Sequence, residues 1–120
     1  MQVIKLNELQ QFVSPHGILA RKVFNTNDVN IMNLVLHPGE VNPPHASDID
    51  MLFYVIRGKG KISVDNESMI VGPTDIVYNP KNLTHGIYAS EGEEFEVLVI
   101  KVPSPFNSHY PIQKGIEAVE

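Results

Sequence analysis

Two histidines lie where a short, stiff loop leads into an apolar run, and they are the residues best placed to do chemistry. Pro43 and Pro44 restrict the backbone just before His45. His85 opens a second run, after a turn that contains Pro80 and Asn82. Imidazole binds divalent transition metals and transfers protons near neutral pH. The pair therefore predicts either a metal site or a polar contact for a small ligand.

The surroundings of His45 resemble the first motif of the cupin superfamily. Gly39 stands five residues before His45, as the motif requires, and Gly58 fits its closing glycine. The resemblance extends over residues 31–102. It implies an all-β double-stranded β-helix, a jelly-roll barrel, with a site inside the barrel.

The surroundings of His85 resemble the second cupin motif. Pro80, Asn82 and His85 fall at the proline, glycine and histidine positions, and Thr74 and Ala89 stand at the outer glycine and asparagine positions. Asparagine can replace a glycine there because both residues tolerate left-handed backbone.

This chain departs from the ligand set that the resemblance implies. Cupins hold a metal through three histidines and a glutamate, but here Ser47 occupies the second histidine position and Met51 the glutamate position. Only His45 and His85 remain. Three protein ligands are the usual minimum for a catalytic zinc.

Three interpretations of the histidine pair stay open. His45 and His85 bind a divalent cation (zinc, iron, manganese or nickel), or they orient a metal-free ligand and move protons, or they only fill the barrel mouth. Asp48 or Asp50 would complete a metal site only through a bulge, because strand alternation places Asp50 on the face opposite Met51.

Alternation along the strands also predicts the lining of the barrel cavity. If both histidines face inward, apolar and aromatic residues of neighbouring strands share their face. The predicted ligand pocket consists of Met51, Phe53, Val55, Tyr78 and Ile87. Such a lining favours a small, partly hydrophobic ligand. The other histidines, His16 in a turn, His37 at a strand end and His109 in the tail, are expected at the surface.

Short apolar runs separated by glycine, proline and asparagine turns predict the elements that position this site. Seven or eight such runs favour an antiparallel barrel over a parallel α/β sheet. We expect one domain over residues 1–120, with a barrel core at about 18–102 and an irregular tail at 103–120. Residues 7–13 fit either a short helix or an edge strand.

Composition excludes several classes of function. The 120 residues contain no cysteine, which rules out disulfides, cysteine zinc sites and thiol nucleophiles. A net charge of −5 argues against a nucleic-acid partner, and no apolar run is long enough to span a membrane. We expect a cytoplasmic protein, and a homodimer formed by exchange of residues 18–24 or by pairing of edge strands.

Two functions follow from these observations. In the first, the protein binds a small organic ligand in the barrel with a divalent metal held by His45 and His85, and the metal acts as a Lewis acid. The alternative is a non-catalytic, metal-free module that binds a small molecule. Neither reading identifies a reaction, because this fold serves many chemistries.

Overall fold

The computed structural model describes residues 1–105 and 116–118, and strands dominate this part of the chain. One short 3-10 helix, Leu6–Glu8, interrupts them. The strands are β1 Gln2–Ile4, β2 Gln11–Val13, β3 Leu19–Asn25, β4 Asn30–Leu36, β5 Val41–Ala46, β6 Asp50–Arg57, β7 Gly60–Val64, β8 Glu67–Val71, β9 Ile76–Asn79, β10 Thr84–Ala89, β11 Phe95–Val102 and β12 Ile116–Ala118.

Two antiparallel sheets form the barrel. A six-stranded sheet has the order β2-β3-β4-β11-β6-β9, and a four-stranded sheet has the order β5-β10-β7-β8. Consecutive strands often lie in different sheets, so the chain winds between them as a double-stranded β-helix. The predicted all-β, jelly-roll fold is confirmed.

The core lies between the two sheets. Phe53 of β6 and Val97 of β11 are fully buried, and Ile62 of β7 and Ile87 of β10 face them from the other sheet at 3% and 1% exposure. Strands β6 and β11 contribute every second residue to this core, from Met51 to Val55 and from Phe95 to Val99, as the strand pleat requires. The apolar alternation in the sequence thus determines which face of each sheet turns inward.

Gly58 explains why the turn between β6 and β7 needs a glycine. Its φ is +79°, and a Cβ atom there would lie 1.8 Å from the backbone oxygen of Glu94. No other residue fits without moving β11. The turn aligns β6, which carries one wall of the site.

The N-terminal segment follows the edge-strand alternative, and the tail differs from the sequence-based expectation. Residues 7–13 do not form a helix beyond the 3-10 turn, and their second half is edge strand β2, paired with β3. The tail is not wholly irregular, because β12 pairs with β1. His109 lies outside the described residues. Among the described residues, no helix is both long enough and apolar enough to cross a bilayer.

Candidate functional site

The two motif histidines meet across neighbouring strands. His85 on β10 is directly opposite His45 on β5, and directly opposed residues project from the same face of a sheet. Their ring centroids lie 4.4 Å apart, with the planes inclined by 59°. His45 is exposed at the sheet edge, whereas only 2% of His85 is accessible. The pair therefore runs from the surface into the barrel.

Backbone contacts hold both histidine loops in place. His45 Nδ1 donates a hydrogen bond of 3.0 Å to the carbonyl oxygen of Pro43. Because a carbonyl only accepts, Nδ1 carries the proton, and the lone pair of the neutral ring lies on Nε2. The amide of Asn82 donates to the Ser47 carbonyl at 2.6 Å, which ties the turn before β10 to the loop after β5.

The surroundings of His85 keep its ring neutral. Burial and the neighbouring His45 lower the pKa of His85 from 6.5 to about 4, and Lys101 acts in the same direction. A hydrogen bond to the Leu83 backbone opposes these effects without reversing them. The buried amide of Asn79 donates to His85 Nδ1 at 2.8 Å. His85 is thus a fixed, uncharged polar group at neutral pH.

A cavity of about 150 Å³ opens beside the two rings, between the sheets. Its walls combine apolar side chains with a few polar ones. The lining residues are Ser14, His16, Met32, Leu34, Asn42, His45, Met51, Phe53, His85, Ile87, Val99 and Lys101. None of these described residues is a carboxylic acid, and Lys101 supplies a positive charge.

The structure brings together part of the predicted pocket. Met51, Phe53 and Ile87 line the cavity with both histidines, whereas Val55 packs in the core away from the cavity lining. Tyr78 does not line it, so that prediction is wrong. On β9 the inward residue is Asn79, 1% exposed, while Tyr78 is 57% exposed and points outward.

Seven lining residues lie outside the set predicted from the sequence, and distant segments bring in the two that matter most for charge, His16 and Lys101. His16 is exposed, as expected of a turn residue, but its ring stacks 5.8 Å from that of His45. Lys101 continues the inward face of β11 after Val97 and Val99. Counting alternate residues along that run would have found Lys101, whereas no local signal placed His16 at the cavity.

His37 is a surface residue, in agreement with the expectation. Its ring contacts Glu40 at 3.1 Å and Glu94 at 3.5 Å, and 54% of its side chain is exposed. It lies outside the cavity lining. The acidic neighbours make it part of a surface ion-pair cluster.

A larger groove is lined by neither histidine. It has a volume of about 610 Å³ and runs between β8 and β9, with Met69, Ile76 and Tyr78 among its walls. Its polar lining includes Asp65, Glu67 and Asp75. We place the candidate site in the smaller cavity, because the neutral imidazoles and the buried polar groups converge there.

The donors present do not fit the divalent ion that the two motifs imply. Among the described residues, no group of three histidine or carboxylate side chains could share a metal ion. Ser47 Oγ instead accepts a hydrogen bond from the Ile49 amide, and Asp50 accepts from Tyr78 and from the Lys81 backbone on the outer face. Asp50 therefore lies on the face opposite Met51, as predicted, and supplies no metal ligand.

Comparison with known proteins agrees with this architecture. A family model described as "Cupin domain" matches residues 32–101. The uncharacterized protein MJ0764 of Methanocaldococcus jannaschii is 30% identical over 94 residues, which are 78% of this chain and 81% of that protein.

Solved structures show the same fold at lower identity. KdgF from Halomonas sp. is 24% identical, with a TM-score of 0.77, over 85% of this chain and 93% of that one. The polyketide cyclase RemF from Streptomyces resistomycificus is 17% identical, with a TM-score of 0.73, over 90% and 80%. The motifs, the double-stranded β-helix and the family match agree, and this chain belongs to the cupin family.

Proposed function

We propose that this cupin binds a small organic molecule in the barrel cavity without a metal ion. The observation that carries the proposal is the pairing of His45 and His85, 4.4 Å apart, on the wall of a largely apolar cavity. A few fixed polar groups in an apolar concavity are the usual make-up of a small-molecule site. The rings orient the ligand, and the apolar walls supply most of the binding free energy.

The charges around the rings support the metal-free form of this function. Met51 replaces the acidic ligand of the family, and Lys101 lies directly opposite Met51 in the β11–β6 pair. A divalent cation would therefore meet an ammonium group where other cupins offer a carboxylate. Two imidazoles also fall short of the usual three protein ligands.

Proton transfer to the bound molecule is a second candidate function. The hydrogen bond from His45 Nδ1 to Pro43 fixes the tautomer whose Nε2 carries the lone pair. A histidine held in this way can act as a general base. The cavity would then be an active site rather than a binding site alone.

Elemental analysis of untagged protein tests the metal-free proposal. We expect background levels of zinc, iron, manganese and nickel in the wild type and in the His45→Ala/His85→Ala variant. Stoichiometric metal in the wild type that disappears in the double variant would overturn the proposal. His37→Ala is the matched control, because it removes an exposed imidazole outside the cavity.

A thermal-shift screen of small metabolites tests binding itself. A ligand at 100 times its Kd stabilises the folded state by about 2.7 kcal/mol, which raises Tm by several degrees. We expect hits that stabilise the wild type and His37→Ala but not the double variant. A hit recovered unchanged indicates a binding module, and one that is converted indicates an enzyme. If no compound stabilises the wild type selectively, the proposed function fails.

A further inference from the structure

Lys101 projects into the cavity because of its place on β11. Val97 and Val99 precede it on the same face and are at most 6% exposed. Its partner across the β11–β6 pair is Met51, which is 3% exposed and also lines the cavity. Strand alternation and cross-strand pairing therefore agree that the Lys101 side chain faces the two histidines.

Two polar groups of the cavity lining have no side-chain partner within residues 1–105. Within residues 1–105, no carboxylate lies within ion-pair distance of Lys101, and burial lowers the pKa of this lysine below its usual 10.5. Asn42 of β5 is 8% exposed and lines the same cavity, and no side chain in residues 1–105 hydrogen-bonds to its amide. Both groups are hydrogen-bond donors on the cavity wall, so an acceptor that enters the cavity can bind to both of them.

The chemistry of that acceptor follows from the donors. An ammonium and an amide nitrogen both donate hydrogen bonds, and a carboxylate accepts from both through charge-assisted bonds. The absence of acidic residues from the described lining also removes the repulsion that an anion would otherwise meet.

The shape of the cavity limits the rest of the ligand. A volume of about 150 Å³ is the size of cavity that holds a molecule as large as benzene. Leu34, Phe53, Ile87 and Val99 form apolar walls around it. A short aliphatic chain behind an acidic headgroup meets both requirements.

We propose that the cavity binds a small carboxylate whose oxygens contact the Lys101 ammonium and the Asn42 amide nitrogen. This inference rests on the proposed function, which supplies the cavity as the binding site. It goes further by naming the ligand class. Lys101 acts as the specificity-determining residue, since it distinguishes an anion from a neutral molecule of the same shape.

Matched pairs of probes test this inference on the intact protein. Propionate is compared with propionamide, and isobutyrate with isobutyramide, at constant ionic strength. The methyl resonances of Met51 and Ile87, both in the cavity wall, report binding by NMR. The variants are Lys101→Met and the control Lys59→Met, which removes an exposed charge in the turn after β6.

We expect each carboxylate to bind at least about tenfold more tightly than its amide, because the bond to a charged group adds a difference of that size. Lys101→Met should abolish the difference, and Lys59→Met should keep it. Equal binding of acid and amide by the wild type would overturn the carboxylate assignment and leave the proposed function standing. An equal loss in Lys59→Met would also overturn it, as a nonspecific charge effect. If neither carboxylate shifts the methyl resonances, the carboxylate assignment fails, and the thermal-shift screen alone decides the proposed function.

Discussion

Glu96 and Lys101 are two charged residues on the same strand, β11, with opposite surroundings. Glu96 faces the outer side of its sheet and is 7% exposed. Arg57 Nε donates to it at 3.1 Å, Asn33 Nδ2 donates at 3.0 Å, and Arg21 lies 3.9 Å away. Lys101 faces the inner side, and no carboxylate in residues 1–105 pairs with it.

The difference separates a structural charge from a functional one. Arg57 is directly opposite Glu96 in the β11–β6 pair, so the same register that builds the sheet also neutralises its buried carboxylate. Hydrogen bonds from Arg57 to Glu94 and Glu96 together raise the pKa of Arg57 above its usual value. At position 101 the register instead places Met51 opposite the charge. Glu96 is thus neutralised within the protein, whereas Lys101 is left to bind the proposed ligand.

The largest effect should come from removing the partnered charge. Glu96→Ala leaves Arg21, whose side chain is 12% exposed, without its counter-charge, and should lower the free energy of unfolding by about 4 kcal/mol. Arg57→Ala should cost only about 1 kcal/mol, because its side chain is 52% exposed. Urea denaturation measures both. Similar losses in the two variants would show that the Glu96 network is not the structural centre of this face.

Lowering the pH should reduce the free energy of unfolding through His85, by slightly less than Glu96→Ala does. The folded-state pKa of His85 is about 4, against 6.5 unfolded, so below pH 6.5 the unfolded chain binds the proton more readily. Stability is therefore lost as pH falls from 6.5 towards 4, by at most about 3 kcal/mol. The groups that face His85 are His45 on β5 and Lys101 on β11, and both oppose a positive charge there.

Urea midpoints measured from pH 7 to pH 4 check this expectation. His85→Gln keeps a polar side chain but has no titrating proton, so its stability should fall less steeply over that interval. Parallel curves for the variant and the wild type would place the acid sensitivity elsewhere in the chain.

Met51→Glu would give Lys101 an ion-pair partner on the neighbouring strand, as Arg57 is for Glu96. The new carboxylate would lie directly opposite the lysine and compete with a bound acid. We expect the affinity for propionate to fall about tenfold, or 1.4 kcal/mol. Met51→Gln, of the same shape but uncharged, should retain most of the affinity. Equal losses in both variants would mean that shape rather than charge controls binding.

The backbone of the site was predictable because local residues encode it. Gly39 and Gly58 have φ of +77° and +79°, and Thr74 and Asn82, at the other two glycine positions of the motifs, have φ of +73° and +69°. The left-handed backbone of these turns is thus retained where another residue replaces glycine. The strain is larger at Thr74, which is β-branched, than at Asn82. Motif spacing also brought His45 and His85 to directly opposed positions.

The contents of the cavity were less predictable because they depend on long-range pairing. Lys101 reaches the site only through the register of β11 with β6, and His16 only through the turn between β2 and β3. Tyr78 was assigned inward because no local feature marks which face of a four-residue strand is buried. Spacing therefore placed His45 and His85, but tertiary pairing determined the charge of the cavity, on which the proposed ligand class depends.

Removing the unpartnered charge should have the smallest effect, and one of opposite sign to Glu96→Ala. Lys101→Met replaces a half-buried ammonium by an apolar side chain of similar length. Without ligand at pH 7 it should raise the free energy of unfolding by about 1 kcal/mol. The pKa of Lys101 is lowered by folding, so between the folded and unfolded pKa values the unfolded chain binds more protons. Wild-type stability should therefore rise as pH approaches 10.5, and the gap to the variant should close.

Propionate should reverse the order of the two proteins at pH 7. At 100 times its wild-type Kd it adds about 2.7 kcal/mol to the wild type but only about 1.4 kcal/mol to a variant that binds it tenfold more weakly, and this difference exceeds the intrinsic advantage of Lys101→Met. Urea denaturation with and without propionate measures the crossing. A variant less stable than the wild type in both conditions would mean that Lys101 has a structural partner like that of Glu96, and the contrast between the two faces of β11 would disappear.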